Sequence, residues 1–163
     1  MTIRETDSAD RSKNVLLLKM ERALAQRKGA LIKNLQQLAD AYRIGKFSER
    51  APLKNVLAVA TDAGATPEEV VNFIRYQLGK SKDNAIWLSR SGKRLFADAL
   101  VSELEALSGT AEEIARASER SEDPGLNSDV HLRLIQMYLG YLGRYHTYLK
   151  WAESPERRQG GAN

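Results

Sequence analysis

The sequence contains no cysteine and only two histidines among its 163 residues. Without cysteine, the chain has neither a disulfide framework nor a thiolate nucleophile, and an intracellular location is expected. His131 and His146 lie roughly 22 Å apart along one predicted helix, so they cannot share a metal ion within one chain. The sequence motifs of zinc peptidases, EF-hand loops, P-loops, dinucleotide-binding loops and nucleophile elbows are also absent. We therefore expect a protein that is not an enzyme and that holds no metal or cofactor.

Long hydrophobic runs are missing as well. No apolar stretch approaches the roughly 20 residues that a membrane-spanning helix needs. The first ten residues, MTIRETDSAD, are polar and mixed in charge, which argues against a signal peptide. The hydrophobic fraction of 42% and the charged fraction of 28% are ordinary for a globular chain. We expect a cytoplasmic protein with no membrane partner.

Strand patterns are nearly absent, whereas apolar residues recur throughout at spacings of three and four. The first predicted helix runs from about Ser12 to Tyr42 and repeats leucine every seven residues. Gly29 inside it indicates either a kink or a break. Further helices are predicted over residues 52–62, 67–78, 93–107, 111–121 and 128–152.

The clearest local signal is the segment TPEE. Thr66 can cap a helix, Pro67 suits its first turn, and Glu69 completes a capping box. Gly79 is predicted to stop this helix in a left-handed conformation. A second capping box at Thr110 predicts that a separate short helix starts there.

These elements predict an all-α, single-domain bundle of five or six helices, with long first and last helices. The bundle is expected to occupy residues 11–153. Residues 1–10 and 154–163 are expected to be disordered, because both ends are polar and carry few apolar residues.

Charge is distributed unevenly along the chain. The total is +4, but residues 11–94 carry +10 and residues 95–129 carry −7. Such asymmetry indicates one face that attracts an anionic partner. The alternative is that the opposite charges meet across the bundle, or that the cations merely solvate helices.

A cationic segment lies between the third and fourth predicted helices. Residues 72–94 contain six cations against one anion, Asp83, and the glycines and serines of the loop suit an extended phosphodiester. Tyr76 lies away from the aliphatic stripe of its helix, so it either packs in the core or stacks on a base. The same two alternatives, packing in the core or stacking on a base, apply to Phe73 and Trp87, and burial is favoured for both. The candidate nucleic-acid-binding residues are Arg75, Tyr76, Lys80, Lys82, Arg90, Lys93 and Arg94.

The last predicted helix carries four tyrosines along one face. Tyrosine combines an apolar ring with a polar tip, as at a partly wet protein–protein surface. Gly140 and Gly143 cost helix propensity, which makes sense if another backbone approaches closely there. Either the tyrosines cover the bundle and reach water with their hydroxyls, or the helix mediates self-association or contact with another protein. The candidate interface residues are Tyr138, Tyr141, Tyr145 and Tyr148.

The segments NFIRYQLGK and LIQMYLGYLGRYHTYLKW, the length and the basic helical character resemble the small all-helical subunits of class 1 CRISPR effector complexes, particularly those of type III. The resemblance covers about residues 14–152. It implies a non-catalytic subunit in antiviral defence that contacts guide RNA or target strand, beside other protein subunits, through the cations named above. The acidic stretch 98–123 departs from the family pattern, and contact with a basic neighbour in the assembly is the alternative role for it.

Two other functions compete with nucleic-acid binding. The first is a protein–protein adaptor whose last helix is its interface and which binds no nucleic acid. The second is a helix-turn-helix regulator, because TDAGATPEEVVNFIRYQLG places a glycine turn between two helices. The acidic residues at the start of that second helix would face phosphates unfavourably, so the regulator is disfavoured.

Overall fold

A computed structural model describes residues 3–80, 82, 84–118 and 124–160. Within these ranges the chain forms six α-helices, one 3-10 turn and one two-stranded antiparallel hairpin. The predicted all-α, single-domain bundle with long first and last bundle helices is confirmed. The elements are α1 (Ile3–Ala41), the 3-10 turn (Ile44–Lys46), α2 (Ala51–Thr61), α3 (Pro67–Gly79), β1 (Arg90–Ser91), β2 (Arg94–Leu95), α4 (Phe96–Ala117), α5 (Pro124–Ala152) and α6 (Pro155–Gly160).

The centre of the bundle is built from α1, α4 and α5, which all pack against one another. The leucine repeat of α1 forms a buried stripe that starts at Leu24 and continues through Leu31 and Leu35. Upstream of this stripe Leu17 is exposed, so the first turns of α1 extend beyond the core. The helix continues through Gly29 without a break.

A chain of side-chain hydrogen bonds joins the three central helices. The Tyr138 hydroxyl of α5 donates to Asn34 Oδ1 of α1 at 2.8 Å, and Asn34 Nδ2 donates to Glu103 Oε2 of α4 at 3.0 Å. Because Tyr138 is only 1% exposed, its hydroxyl would otherwise be an unpaired polar group in the core. These hydrogen bonds fix the positions of α1, α4 and α5 relative to one another, and α4 carries part of the surface described below.

The predicted cap at Thr66 and the position of Pro67 in the first turn of α3 are confirmed, because Glu69 N donates to Thr66 Oγ1 at 3.2 Å. The left-handed stop predicted at Gly79 is wrong. Gly79 is helical, and Lys80 ends the helix in an extended conformation. The Asn84 side chain donates to the carbonyls of Leu78 and Lys80, so these groups are satisfied without a left-handed residue.

The predicted break between two helices at Thr110 is also wrong. Helix α4 runs without interruption from Phe96 to Ala117. Its apolar stripe continues past the capping box at Ala111 and Ile114, which are both buried. Burial of these side chains therefore outweighs the local capping signal. The predicted end of this helix near residue 121 lies outside the described residues.

The helices extend further towards both ends than predicted. Helix α1 already includes residues 3–10, which we expected to be disordered, and an Asp7–Arg11 pair at 3.7 Å supports this turn. Helix α6 covers residues 155–160, where disorder was also expected. Residues 1, 2 and 161–163 lie outside the described part of the chain. Helix α5 begins at Pro124, a few residues before the predicted cap.

Candidate nucleic-acid interface

Sequence patterns did not predict the hairpin of β1 and β2, residues 90–95. We call it the basic hairpin, because Arg90, Lys93 and Arg94 are all exposed on it. Gly92 adopts a φ of +62° in its two-residue turn, a conformation that glycine reaches at no steric cost. Its strands are two residues long, too short to show a period of two in the sequence.

Buried aromatic rings hold the base of the basic hairpin. Trp87, which is fully buried, stacks on Phe96 with ring centroids 5.8 Å apart, and Phe96 contacts Tyr42 at 5.6 Å. The Ser89 hydroxyl donates to the Tyr42 carbonyl at 2.8 Å, and Phe96 N donates to the Ser89 carbonyl at 2.7 Å. Trp87 is therefore part of the core, and the base-stacking alternative for it is wrong.

No carboxylate of the described residues pairs with the cations of the basic hairpin. Arg90 donates to the carbonyl of Lys93 at 3.4 Å, and Arg94 donates to Ser102 Oγ of α4 at 2.6 Å. Within the described ranges, none of the three forms an ion pair. The described acceptors of the two guanidinium groups, a carbonyl and a hydroxyl, are neutral. Because the cations are exposed and these acceptors do not neutralise them, their positive charge is available to an anionic partner.

The exposed side of α3 supplies an aromatic ring next to a cation. Tyr76 is 60% exposed, and the ammonium group of Lys80 lies 5.6 Å from its ring centroid. Phe73 is half-buried against the core and contacts the Tyr76 ring at 6.2 Å. Of the aromatics in this segment, Tyr76 is therefore the one that is mostly exposed.

Helix α4 brings α3 and the basic hairpin to a common surface. Arg75 of α3 reaches Glu105 at 3.7 Å, and Arg94 of the hairpin reaches Ser102. Residues three apart on a helix are neighbours on one side, so the two guanidinium groups lie over adjacent turns of α4. Asp98 shares that side, and Glu68 of α3 lines a cleft there together with Arg75 and Glu105, so this surface also contains acidic groups.

Two of the five acidic side chains of α4 contact α1 and lie away from this surface. Glu113 pairs with Arg27 of α1 at 2.7 Å, and Glu103 accepts from Asn34. The Arg75–Glu105 pair is long and more than half exposed on both sides, so it contributes little stability. The acidic residues at 119–123 and Asp83 lie outside the described residues. The alternative that opposite charges meet across the bundle thus holds for α1 and α4, whereas no described carboxylate pairs with the hairpin.

Lys82 lies apart from the other candidates. It lines a cleft of about 390 Å³ together with Lys46, Phe47 and Glu49 at the start of α2. The ammonium group of Lys46 lies 5.1 Å from the Phe47 ring centroid. This cleft links the loop after α3 to the start of α2, and Lys46 was not among the predicted residues.

The four tyrosines of α5 do not form one exposed surface. Tyr138 is buried in the core, so its prediction as an interface residue is wrong: its side of α5 is covered by α1 and α4. Tyr145 donates to Asp40 at 2.8 Å, and burial with this bond raises its pKa to about 12. Tyr141 is half-buried, whereas Tyr148 is 49% exposed. Tyr138, Tyr141 and Tyr145 thus cover the bundle, but the Tyr138 hydroxyl bonds Asn34 in the core and does not reach water.

The close backbone approach expected at Gly140 and Gly143 is wrong as well. A Cβ at either position would have no atom within 4 Å, because both glycines border open grooves. The close approach occurs at Gly45 instead, where a Cβ would lie 2.8 Å from Leu149 Cβ. Gly45 stands in a loop, where no helical pattern draws attention to it.

In the part of the chain that the structure describes, no helix has the length and apolar character needed to cross a membrane. The same residues contain no group of three or more His, Asp or Glu side chains placed to hold a metal ion. Comparisons with protein-family models, with curated proteins and with solved structures find no match for the chain.

Proposed function

We propose that the chain is a non-catalytic nucleic-acid-binding subunit of a cytoplasmic ribonucleoprotein assembly. It would hold RNA or single-stranded DNA through the backbone, with little base specificity. The observation that carries the proposal is the basic hairpin, whose three exposed cations have no carboxylate partner among the described residues. Such cations bind phosphates and release counterions whatever the base sequence.

The surrounding geometry supports the same function. Arg75 lies over the turn of α4 next to the one that Arg94 contacts, and Tyr76 with Lys80 offers a ring and a charge on the same exposed helix. An aromatic platform beside cations is typical of single-strand binding. The buried Trp87 holds the hairpin in place, so a strand would meet a largely pre-formed surface.

The resemblance to small subunits of class 1 CRISPR effector complexes supplies the proposed assembly. In such a complex the partners would be guide RNA or target strand together with other protein subunits. The helical bundle and its basic surface support this assignment. The genes beside this one test it directly: neighbouring effector genes would support it, and their absence from every related locus would contradict it.

Charge reversal of the basic hairpin tests nucleic-acid binding. We expect Arg90→Glu, Lys93→Glu and Arg94→Glu together to weaken binding of a labelled single strand of about 20 nucleotides by a hundredfold or more, because roughly three phosphate contacts are lost. Fluorescence anisotropy measures the affinity.

The matched control reverses Lys13, Lys19 and Arg22 on α1. It changes net charge by the same amount, at positions that lie about 30 Å or more along α1 from Tyr42, where the hairpin is anchored. We expect a much smaller loss in this variant. Equal losses in both variants would show that total charge, and not the hairpin, holds the strand.

A second candidate function is a protein–protein adaptor, which the exposed end of α5 favours. Tyr148 and Trp151 are each about half exposed, and Tyr148 stacks on Tyr145 with ring centroids 5.8 Å apart. Exposed aromatics are frequent anchors of protein interfaces. Two results together would favour this function. The purified protein would carry no nucleic acid and elute as a dimer, and the double variant Tyr148→Ser with Trp151→Ser would elute as a monomer.

A further inference from the structure

A second basic site lies between α2 and α5, in a groove of about 310 Å³ that we call the α2–α5 groove. Arg50 and Lys54 line it from the α2 side, and Arg144 lines it from α5. No Asp or Glu is among its lining residues in the described chain. Because these positions are about 90 residues apart in sequence, no local pattern marks them as one group.

The three cations of the groove are exposed, and none forms an ion pair with a described residue. The Arg144 guanidinium lies 5.6 Å from the ring centroid of Tyr141, and both residues also line a neighbouring groove that contains Glu21. Like charges around one cavity repel one another, and an anion among them removes this repulsion. The charge of the site therefore favours an anionic ligand.

His146 forms part of the wall and does not neutralise the groove. Its Nε2 donates to the Phe47 carbonyl at 2.7 Å, which holds the segment just before Arg50. Burial lowers the pKa of His146, and the nearby charges of Lys150 and Arg50 lower it further. A neutral, hydrogen-bonded histidine is thus a support for the loop that carries Arg50.

The glycines of α5 have a use in this groove. Gly140 and Gly143 line it, and nothing would contact a Cβ at either position. Each glycine lowers helix stability by about 1 kcal/mol relative to alanine. Close packing does not require these glycines. They leave space above the backbone of α5, between Arg144 and the cations of α2.

The groove lies next to another cleft that contains cations. Residues 47–49 line the cleft together with Lys46 and Lys82, and the next residue, Arg50, lines the groove. The basic hairpin follows Lys82 along the chain. Cations therefore line the groove, the cleft and the hairpin.

We propose that the α2–α5 groove binds a phosphate group, and that it receives the backbone of the strand held by the basic hairpin. Guanidinium groups suit this role, because their donors match the oxygens of a phosphate in pairs. The strand assignment rests on the proposed function. The groove would be a second contact that extends the site beyond the residues between α3 and α4.

The test uses the full chain and a labelled single strand of about 20 nucleotides. The groove variant Arg50→Gln, Lys54→Gln and Arg144→Gln is compared with the hairpin variant Arg90→Gln, Lys93→Gln and Arg94→Gln. The control variant is Lys13→Gln, Lys19→Gln and Arg22→Gln. We expect the groove variant to weaken binding by about ten- to a hundredfold and to reduce the salt slope by about two.

The outcomes separate this inference from the proposed function. If the hairpin variant loses affinity and the groove variant matches the control, the groove inference is overturned and strand binding stands. If neither variant differs from the control, both are overturned. Inorganic phosphate and a mononucleotide are titrated in parallel. If the parent binds either of them saturably and the groove variant does not, while both bind the strand equally well, the groove binds a free phosphorylated molecule and the strand contact is overturned.

A neutral substitution tests the shape of the groove. Gly143→Leu fills it without a change of charge, and Gly29→Leu places the same side chain at another open mid-helix position, on α1. We expect Gly143→Leu to weaken strand binding several-fold with an undiminished melting temperature, and Gly29→Leu to bind as the parent does. Full affinity in Gly143→Leu would show that no ligand enters the groove.

Discussion

At the scale of single residues, hydrogen-bonded polar groups in the core do more than the exposed tyrosines to define this bundle. Tyr138 looked like a surface residue because its spacing matches that of Tyr141 and Tyr145. The structure buries it and uses its hydroxyl to connect α5 with α1 and α4 through Asn34. Sequence spacing shows which residues share one side of a helix. Whether that side faces solvent or another helix depends on how elements distant in sequence pack.

Tyr138→Phe removes one hydroxyl from this chain of hydrogen bonds. We expect the free energy of unfolding to fall by about 1–2 kcal/mol, because Asn34 Oδ1 loses its donor. Urea denaturation measures the change. Tyr148→Phe is the control, since its hydroxyl is on an exposed ring and its removal should change stability by less than about 0.5 kcal/mol. Equal effects would contradict the role of the buried hydroxyl.

His146 predicts a pH dependence of stability. Burial lowers its pKa in the folded chain, so the unfolded chain binds more protons near and below pH 6.5. Its contribution is therefore present above about pH 6.5 and is lost as pH falls, by at most about 1.4 kcal/mol per pH unit.

Urea denaturation between about pH 8 and pH 5.5 measures this contribution as the difference between the parent and His146→Gln. We expect the parent to lose stability more steeply on acidification than the variant. His131→Gln removes the other histidine and should leave the contribution of His146 in place. Identical pH profiles for the parent and His146→Gln would contradict a buried, neutral histidine.

At the scale of elements, the helices were predictable because their periodicity and caps agree. Thr66 and Pro67 fixed the start of α3, and the leucine repeat fixed α1. The errors arose where local signals and packing compete. A capping box at Thr110 suggested a break, but the buried side chains that follow it keep α4 continuous. The basic hairpin escaped prediction because its strands are two residues long.

Two glycine substitutions test how the elements pack, because one is expected to lower the stability of the fold and the other to raise it. Gly45→Ala is expected to destabilise the fold by about 1–3 kcal/mol, because its Cβ would meet Leu149 of α5 at 2.8 Å. Gly109→Ala is expected to stabilise it by about 0.5–1 kcal/mol, because it lies inside α4 with open space around it. Thermal denaturation of both variants measures the shifts. A stable Gly45→Ala would contradict the close contact between the 3-10 turn and α5.

At the scale of the whole molecule, the fold converts an uneven charge distribution into distinct surfaces. Acidic α4 residues pair with α1, and the cations of the basic hairpin remain in solvent. The sequence located these cations but could not show which of them share a surface. Arg75 and Arg94 come together through α4, whereas Lys82 faces a separate cleft with Lys46. The α2–α5 groove was beyond prediction because its residues come from distant helices.

The most direct measurement is the salt dependence of strand binding by the unmodified chain. If the exposed cations neutralise about six phosphates of a single strand, affinity should fall by roughly three hundredfold between 50 and 200 mM salt. A plot of log affinity against log salt concentration would then have a slope of about −4 for a single strand. A slope near zero, or no measurable binding at the lower salt concentration, would contradict the account.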